Sequence, residues 1–426
     1  QCREKQHRYD EAKEFYSALS GAIKAGTVTL TAKTETATGT ASYPVTDDKL
    51  TGTVTFTGCE MGTYLILIEN GYKVYTPSVI NLTPEFDRTS NEWKLPDSMV
   101  VTVKATNPQV TKTVTDTAKN KDNYSTKDVI PFTIVADIPT YLTGSLSKTY
   151  KVGDTLSNGL KLDDSTIKVY GQKGSGNPVE LTKTTDYTSS VTGTTSFEIN
   201  FKYDQIKNYD KVRITYSASL AKETITIVGG AGNTNTANLT YSNNPYVADS
   251  TQTQETTNTV FTYGAEITKT DKTSGEALTG AEFELTKDSN KLYFVKTADG
   301  VYYQANSSDV GATTTLVVDN KGKLNIFGLA EGTYSLTETK APSGYNKSAE
   351  TKEIKITDAD LNGALDDETG STGIYKLTFP NSQGFQLPVT GGAGTVAFVA
   401  GGVVFVGLGI ALFVIAMKKG KKVNEK

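Results

Sequence analysis

The sequence has 426 residues, which suggests two or three domains of about 150 residues each. Lys and Arg number 43 and Asp and Glu 47, and a net charge of −4 argues against a nucleic-acid binder with a broad basic surface. With one histidine (His7) and two cysteines (Cys2 and Cys59), a multi-histidine metal site, a Ser/His or Cys/His hydrolase and a disulfide-dense scaffold are excluded. We therefore expect no metal, no cofactor and no nucleic-acid partner.

The N-terminal segment predicts a short amphipathic helix, because apolar residues recur there at helical spacing: Tyr9, Ala12, Phe15, Tyr16, Leu19 and Ile23. No apolar signal-peptide core precedes this helix, so we expect the N-terminus to be truncated, as a gene fragment or a processed form. Cys2 lies at this end, and Cys59 lies in a turn before a strand. The sequence is compatible both with a disulfide between them and with two unpaired cysteines.

Beyond Gly26 the chain consists of short alternating segments separated by Gly, Asn, Asp and Pro. Such segments predict an all-β protein of tandem immunoglobulin-like β-sandwich domains. The string ATNPQ (105–109) and the polar stretch 243–259 have the composition of boundaries. We expect domains at 1–105, 106–250 and 260–386, followed by a terminal segment at 387–426.

A candidate linking lysine lies at the end of the first domain. Trp93 leads into MVVTVKATN (99–107), which partly resembles the string around the linking lysine of Gram-positive pilins, although the Tyr-Pro of that string is missing. The resemblance implies that Lys104 attacks the sortase-bound threonine of the next subunit. Val101, Val103 and Ala105 alternate onto the inner face, which leaves Lys104 outward and accessible. An ordinary solvated lysine on an edge strand has the same pattern.

The second domain contains PQVTKTVTDT, SKTYKVGDTLSNGL and TANLTYSNNPY, and it resembles the second domain of fimbrial shaft proteins. That resemblance implies an isopeptide bond between a lysine and an asparagine, with an aspartate as the acid. Strand periodicity places Lys112, Asp154 and Asn243 on the same faces as their apolar neighbours. We predict a Lys112–Asn243 bond promoted by Asp154. The alternative is three ordinary polar residues, since these types are common around sheets.

The third domain contains GAEITKTDKTSGEALTGAEFEL, YSLTETKAPSGY and YKLTFPNSQG. It resembles the B-type immunoglobulin-like domains of collagen adhesins and pilins, which implies an isopeptide bond between Lys269 and Asn381 promoted by Glu338. Independently, a period of two turns all three side chains toward the core. Burial lowers the pKa of a lysine amine and raises the pKa of a carboxyl group, which favours a neutral nucleophile and a neutral acid. An edge-strand lysine and a capping asparagine are the alternative.

The first domain departs from this pattern, although an internal echo relates it to the third. Gly58–Ile66 (GCEMGTYLI) parallels Gly328–Leu336 (GLAEGTYSL). At the position equivalent to Glu338 stands Ile68, and Glu69 is one residue away and faces the other side of the strand. We therefore predict that the first domain has no isopeptide bond.

The C-terminal segment has three parts in a fixed order. The motif LPVTG (387–391) precedes an uncharged stretch at 395–417, which as a helix is about 34 Å long and spans a bilayer. Four lysines follow and indicate a cytoplasmic tail. This order resembles the cell-wall sorting signal of Gram-positive surface proteins. It implies that a sortase recognises Leu387 and Pro388, cleaves between Thr390 and Gly391, and joins Thr390 to an amine.

Together these features predict a structural subunit of a sortase-assembled pilus in a Gram-positive cell wall. The expected partners are a sortase, neighbouring pilin subunits and peptidoglycan, with the membrane holding the precursor before sorting. The alternative is a monomeric wall-anchored adhesin whose first domain binds a host receptor. We do not expect an enzyme, because each isopeptide bond forms once and the sequence has no paired carboxylates, phosphate loop or metal-ligand spacing.

Overall fold

The computed structural model describes residues 15, 18–27, 45–46, 49–50, 59–66, 72–96, 98–114, 119–142, 144–366 and 372–384. Regular structure in these residues is almost entirely β-strand, which confirms the predicted fold class. Residues 18–24 are helical, in agreement with the amphipathic pattern of the N-terminal segment. Within the described residues we find no helix of the length and apolarity needed to cross a membrane. The predicted span at 395–417 lies outside them.

The first part of the chain forms short strands that pair two by two. The pairs are β1 (Val45–Thr46) with β2 (Lys49–Leu50), β3 (Gly62–Ile66) with β5 (Ser78–Leu82), β4 (Val74–Tyr75) with β8 (Ala105–Thr106), and β6 (Glu85–Asp87) with β7 (Glu92–Lys94). The Tyr64 hydroxyl, in the echoed string, donates a hydrogen bond to the Glu60 carbonyl at 2.6 Å. Its counterpart Tyr334 donates to the Ala330 carbonyl at 2.7 Å. In both copies of the string, therefore, the tyrosine hydroxyl bonds to the carbonyl four residues before it.

The second part of the chain forms a β-sandwich around its own apolar core. Its strands are β9 (Val110–Thr113), β10 (Lys121–Asn123), β11 (Ile130–Asp137), β12 (Tyr150–Leu156), β13 (Leu160–Gln172), β14 (Val179–Glu180), β15 (Tyr187–Thr192), β16 (Ser196–Phe201), β17 (Lys211–Leu220), β18 (Asn233–Ser242) and β19 (Thr251–Phe261), with helix α1 (Tyr203–Ile206) before β17. One sheet has the order β10-β19-β18-β12-β16-β15 and the other has the order β14-β13-β17-β11-β9. Alternate residues of β12 and β18 face the core, as their period of two predicts.

Strand β19 corrects the predicted boundary at 243–259. Residues 251–260 pair with β18 over ten consecutive positions, so this segment belongs to the second sandwich and is not a linker. Its half-buried face carries Gln252, Gln254 and Thr256, so hydrophobic alternation does not reveal it. Threonine nevertheless has high strand propensity, and the pairing satisfies the backbone groups. The second sandwich extends to Phe261.

The third part forms another β-sandwich with its own core. Its strands are β20 (Tyr263–Asp271), β21 (Glu282–Lys287), β22 (Asn290–Lys291), β23 (Tyr293–Ala298), β24 (Val301–Ala305), β25 (Ala312–Thr313), β26 (Leu316–Val317), β27 (Lys323–Leu329), β28 (Gly332–Lys340), β29 (Thr351–Ile356) and β30 (Ile374–Asn381). One sheet has the order β25-β23-β24-β27-β20-β30; the other has the order β22-β21-β28-β29, with β26 beside β21. The first and last strands of this sandwich, β20 and β30, lie side by side in parallel.

The two sandwiches meet at a hydrogen-bonded joint. Asn123 donates its side-chain amide to Oε2 of Glu331 at 2.8 Å, and its Oδ1 accepts the backbone N–H of Glu331 at 2.9 Å. The Thr126 N–H donates to the Gly328 carbonyl at 3.0 Å. A Cβ on Gly328, whose φ is +76°, would lie 2.1 Å from Thr126 Oγ1, so only glycine permits this approach. The joint holds the end of β19 against the start of β20.

Candidate cross-linking sites

In the third sandwich the structure brings together the three polar residues that the sequence selects. Lys269 lies on β20, Asn381 ends β30, and Glu338 reaches across from β28 in the opposite sheet. Lys269 Nζ lies 2.5 Å from Oδ1 of Asn381 and 3.7 Å from Oε1 of Glu338. The Asn381 side-chain amide donates to both carboxylate oxygens at 2.9 Å. All three residues are buried, with exposed fractions of 0%, 2% and 0% for Lys269, Asn381 and Glu338.

The surroundings of this site favour acyl transfer. Burial lowers the pKa of Lys269 because the charged ammonium loses hydration. Glu338 is oriented by the Ser348 N–H, which donates to its Oε2 at 2.7 Å. The lowered pKa of Lys269 favours the neutral amine, which lies beside the amide group, and the Glu338 carboxyl group contacts the amide nitrogen of Asn381. Attack of Nζ on Cγ of Asn381 with loss of ammonia is the reaction that this arrangement permits.

In the second sandwich Lys112 and Asp154 meet in the core, as their strand periodicity predicts. Lys112 Nζ forms an ion pair with Asp154 Oδ1, and both side chains are fully buried. Burial lowers the pKa of Lys112 to about 8. Burial also raises the pKa of Asp154, although its ion pair with Lys112 opposes that change. Aromatic rings surround the amine: Nζ lies 5.2 Å from the ring centroid of Phe132 and 5.7 Å from that of Tyr216.

The structure places the predicted partner Asn243 away from Asp154, the residue that Lys112 contacts. Asp154 is opposite Ala237 on β18, and Asn243 is six residues farther along, about 20 Å in an extended chain. Asn243 follows the end of β18, and its Oδ1 accepts a hydrogen bond from Ser250 Oγ at 2.9 Å. Asn243 is buried, as the strand alternation predicts, but it lies beyond the end of β18 and not at the position opposite Asp154.

Asn258 on β19 is the asparagine that the structure places beside Lys112. Its side-chain amide donates to the Lys112 backbone carbonyl at 3.2 Å, and the residue is fully buried. Oδ1 of Asn258 has no hydrogen-bond partner among the described residues. Asn258 lies on the last strand of its sandwich, as Asn381 does in the next one. The alternation of residues 252, 254, 256 and 258 is the signal that could have revealed it.

Of the other predicted residues, the structure describes Lys104 and Cys59. The Lys104 side chain is exposed and Val101 and Val103 are half-buried, as predicted, but Ala105 is exposed, against its predicted inner face. The Lys104 backbone carbonyl accepts the N–H of Thr76, the residue that follows β4, at 2.9 Å. Cys59 is half-buried. The remaining residues lie outside the described part of the chain: Cys2, Ile68, Glu69, Leu387, Pro388, Thr390 and Gly391.

Three segments of the chain match known protein families. Residues 126–245 match the Gram-positive pilin backbone subunit 2, Cna-B-like domain. Residues 264–369 match a prealbumin-like fold domain, and residues 380–425 match the LPXTG cell wall anchor motif. These matches follow one another along the chain in the order of the second sandwich, the third sandwich and the terminal segment.

The chain is similar to surface and fimbrial proteins of other bacteria. The trypsin-resistant surface T6 protein of Streptococcus pyogenes serotype M6 is 27% identical in an alignment of 270 residues that covers 59% of this chain and only 46% of that protein. Fimbrial subunit type 1 of Actinomyces viscosus is 25% identical, over 93% of this chain and 79% of that protein. The solved structure of the T6 backbone pilin from S. pyogenes shares the fold, with a TM-score of 0.63 at 21% identity over 87% of this chain and 88% of that one.

Proposed function

We propose that this chain, a wall-anchored surface protein related to Gram-positive pilin backbone proteins, is the shaft subunit of a covalently polymerised pilus. The observation that carries the proposal is the order of its parts. An exposed lysine, Lys104, precedes two sandwiches with buried lysine–carboxyl–asparagine sites, and the anchor motif follows them. Thr390 of one subunit is joined by a sortase to Lys104 of the next, and the last subunit is joined to peptidoglycan. Relatives of the chain are structural subunits, and we assign it no enzymatic turnover.

Each sandwich in this proposal is closed by one isopeptide bond. The bonds join Lys112 to Asn258 with Asp154 as the acid, and Lys269 to Asn381 with Glu338 as the acid. A lone buried lysine is costly, and conversion of its amine to an amide removes the charge permanently. The contacts of Lys112 with Asp154 and Asn258, and of Lys269 with Glu338 and Asn381, support these assignments. The domain limits in this proposal are 106–261 and 262–386.

Polymerisation can be tested in a Gram-positive host that expresses the chain with its own leader and a pilin-type sortase. We expect wall extracts to show a ladder of polymers that resists boiling in SDS. Lys104→Ala removes the nucleophile and is expected to abolish the ladder, while the monomer remains wall-anchored through Thr390. Lys73→Ala, at another exposed lysine near the same strand pair, is the matched control and keeps the ladder. Monomers alone in the wild type would favour the adhesin alternative, and a ladder in Lys104→Ala would assign the link to another amine.

A further inference from the structure

A buried tyrosine contacts the acid of the second sandwich. Tyr216 lies on β17 with 2% exposure, and its hydroxyl donates to Oδ2 of Asp154 at 2.5 Å. The same hydroxyl oxygen accepts a hydrogen bond from the side-chain amide of Asn235 at 2.8 Å. Asn235 is fully buried on β18, directly opposite Asn258 on β19. Tyr216 and Asn235 therefore extend the site beyond the three residues that react.

The direction of these hydrogen bonds is fixed. An amide nitrogen only donates, so the phenol oxygen accepts from Asn235 and directs its single hydrogen to Asp154. Burial raises the pKa of Tyr216 well above its usual range, so this hydrogen stays on the phenol. Oδ2 of Asp154 is thus held as an acceptor. A proton on the carboxyl group is left with Oδ1, the oxygen that faces Lys112 Nζ.

We propose that Tyr216 is a positioning residue for the bond between Lys112 and Asn258, because it keeps the transferable proton of Asp154 on Oδ1. The inference rests on the proposed isopeptide bond. In that reaction Nζ of Lys112 bonds to Cγ of Asn258, and the Cγ–Nδ2 bond breaks. The acid proton on Oδ1 passes to Nδ2, which leaves as ammonia, and one hydrogen of the amine passes to the carboxylate and restores the acid.

The third sandwich positions its acid in another way. There the second oxygen of Glu338 is held by the backbone N–H of Ser348. A backbone donor is not removed by a side-chain substitution, whereas the donor to Asp154 is a side chain. The two sites in one chain therefore form an internal comparison: loss of the Tyr216 hydroxyl affects only the bond at Lys112.

The test follows both bonds over time in the full chain. Wild type, Tyr216→Phe and Tyr150→Phe are synthesised in a cell-free reaction, denatured at intervals and digested, and the two cross-linked peptide pairs are quantified by mass spectrometry. Tyr150→Phe is the matched control, because it removes another buried hydroxyl of the same core, bonded to the Ala136 carbonyl at 3.2 Å. We expect Tyr216→Phe to slow the bond at Lys112 by about ten- to a hundredfold, the value of one hydrogen bond to a charged group.

Two further results are expected, and two outcomes would contradict the proposal. The bond between Lys269 and Asn381 should form at the wild-type rate in all three proteins. The alkaline limb of the pH–rate profile for the Lys112 bond should move to higher pH in Tyr216→Phe, because the carboxylate loses a donor; a loss of packing alone does not move it. If Tyr216→Phe forms the Lys112 bond at the wild-type rate, or if Tyr150→Phe slows it as much as Tyr216→Phe does, the role of Tyr216 is overturned but the proposed bond is not. A wild-type chain without the Lys112–Asn258 bond overturns the proposed bond itself.

Discussion

Lys269 Nζ lies 2.5 Å from Oδ1 of Asn381 in the third sandwich, and both residues are buried. Their strands are the first and last of the sandwich and run side by side. A covalent bond here ties the two ends of the sandwich together and closes a loop between residues 112 positions apart. Lys112 and Asn258 lie on the first and last strands of the second sandwich, 146 positions apart, and the Asn258 side-chain amide donates to the Lys112 backbone carbonyl. The predictions below follow from these two closures.

Glu338→Gln is expected to prevent the bond between Lys269 and Asn381. Glutamine keeps the shape of the side chain but does not take up and return a proton, so acyl transfer stalls. Peptide mapping should then find the two residues unlinked. The loop entropy restored to the unfolded chain lowers the free energy of unfolding by about 5 kcal/mol. Glu353→Gln, at an exposed glutamate of β29, is the control and should retain the bond. A cross-linked Glu338→Gln chain would contradict the role of the acid.

Asn258→Ala should abolish the bond at Lys112, whereas Asn243→Ala should leave it in place. Both substitutions remove a buried asparagine side chain, so their packing costs are comparable. The cross-linked peptide pair containing Lys112 is the readout. If the pair disappears in Asn243→Ala and persists in Asn258→Ala, the partner is Asn243 after all and the observed register does not determine the chemistry.

The inward-facing residues were predictable from sequence because a period of two fixes the face of a strand residue whatever its neighbours are. Lys112, Asp154, Lys269, Glu338 and Asn381 are all buried as expected. Face alone does not fix the position along the strand, which depends on strand register. The sequence therefore did not show that Asn243 lies six residues beyond the position opposite Asp154. Asn258 was missed because the inner face of β19 is largely polar, whereas hydrophobic alternation is the usual sequence signal of a strand. Tyr216 was equally hidden, because its inward position resembles that of an ordinary core aromatic.

The Asn258→Ala variant should also show the titration of Lys112. Burial lowers the pKa of Lys112 from 10.5 to about 8 in the folded chain. Between these values the unfolded chain binds more protons, so the free energy of unfolding rises with pH. We expect a rise of at most about 3 kcal/mol from pH 8 to pH 10.5, measured by urea unfolding. The double variant Asn258→Ala/Lys112→Met is the control and should lack this rise. A rise of the same size in both variants would assign the effect to other groups.

Pulling on the chain from residue 104 and residue 390 should extend the wild type very little. Both proposed bonds lie within this interval, and each carries force from the first strand of its sandwich to the last. In Asn258→Ala the segment between residues 112 and 258 can unravel and adds about 500 Å of contour length. Single-molecule force spectroscopy distinguishes the two cases. Extension of the wild type by a similar length at ordinary unfolding forces would show that the second sandwich is not closed.

The intact mass of the folded chain tests the central claim most directly. Each isopeptide bond releases one ammonia and lowers the mass by about 17 Da. Two bonds, one at Lys112 and one at Lys269, predict a mass about 34 Da below the value calculated from the sequence. Peptide mapping should assign the two losses to Asn258 and Asn381. A mass equal to the calculated value would contradict the claim that this protein closes its sandwiches by covalent bonds.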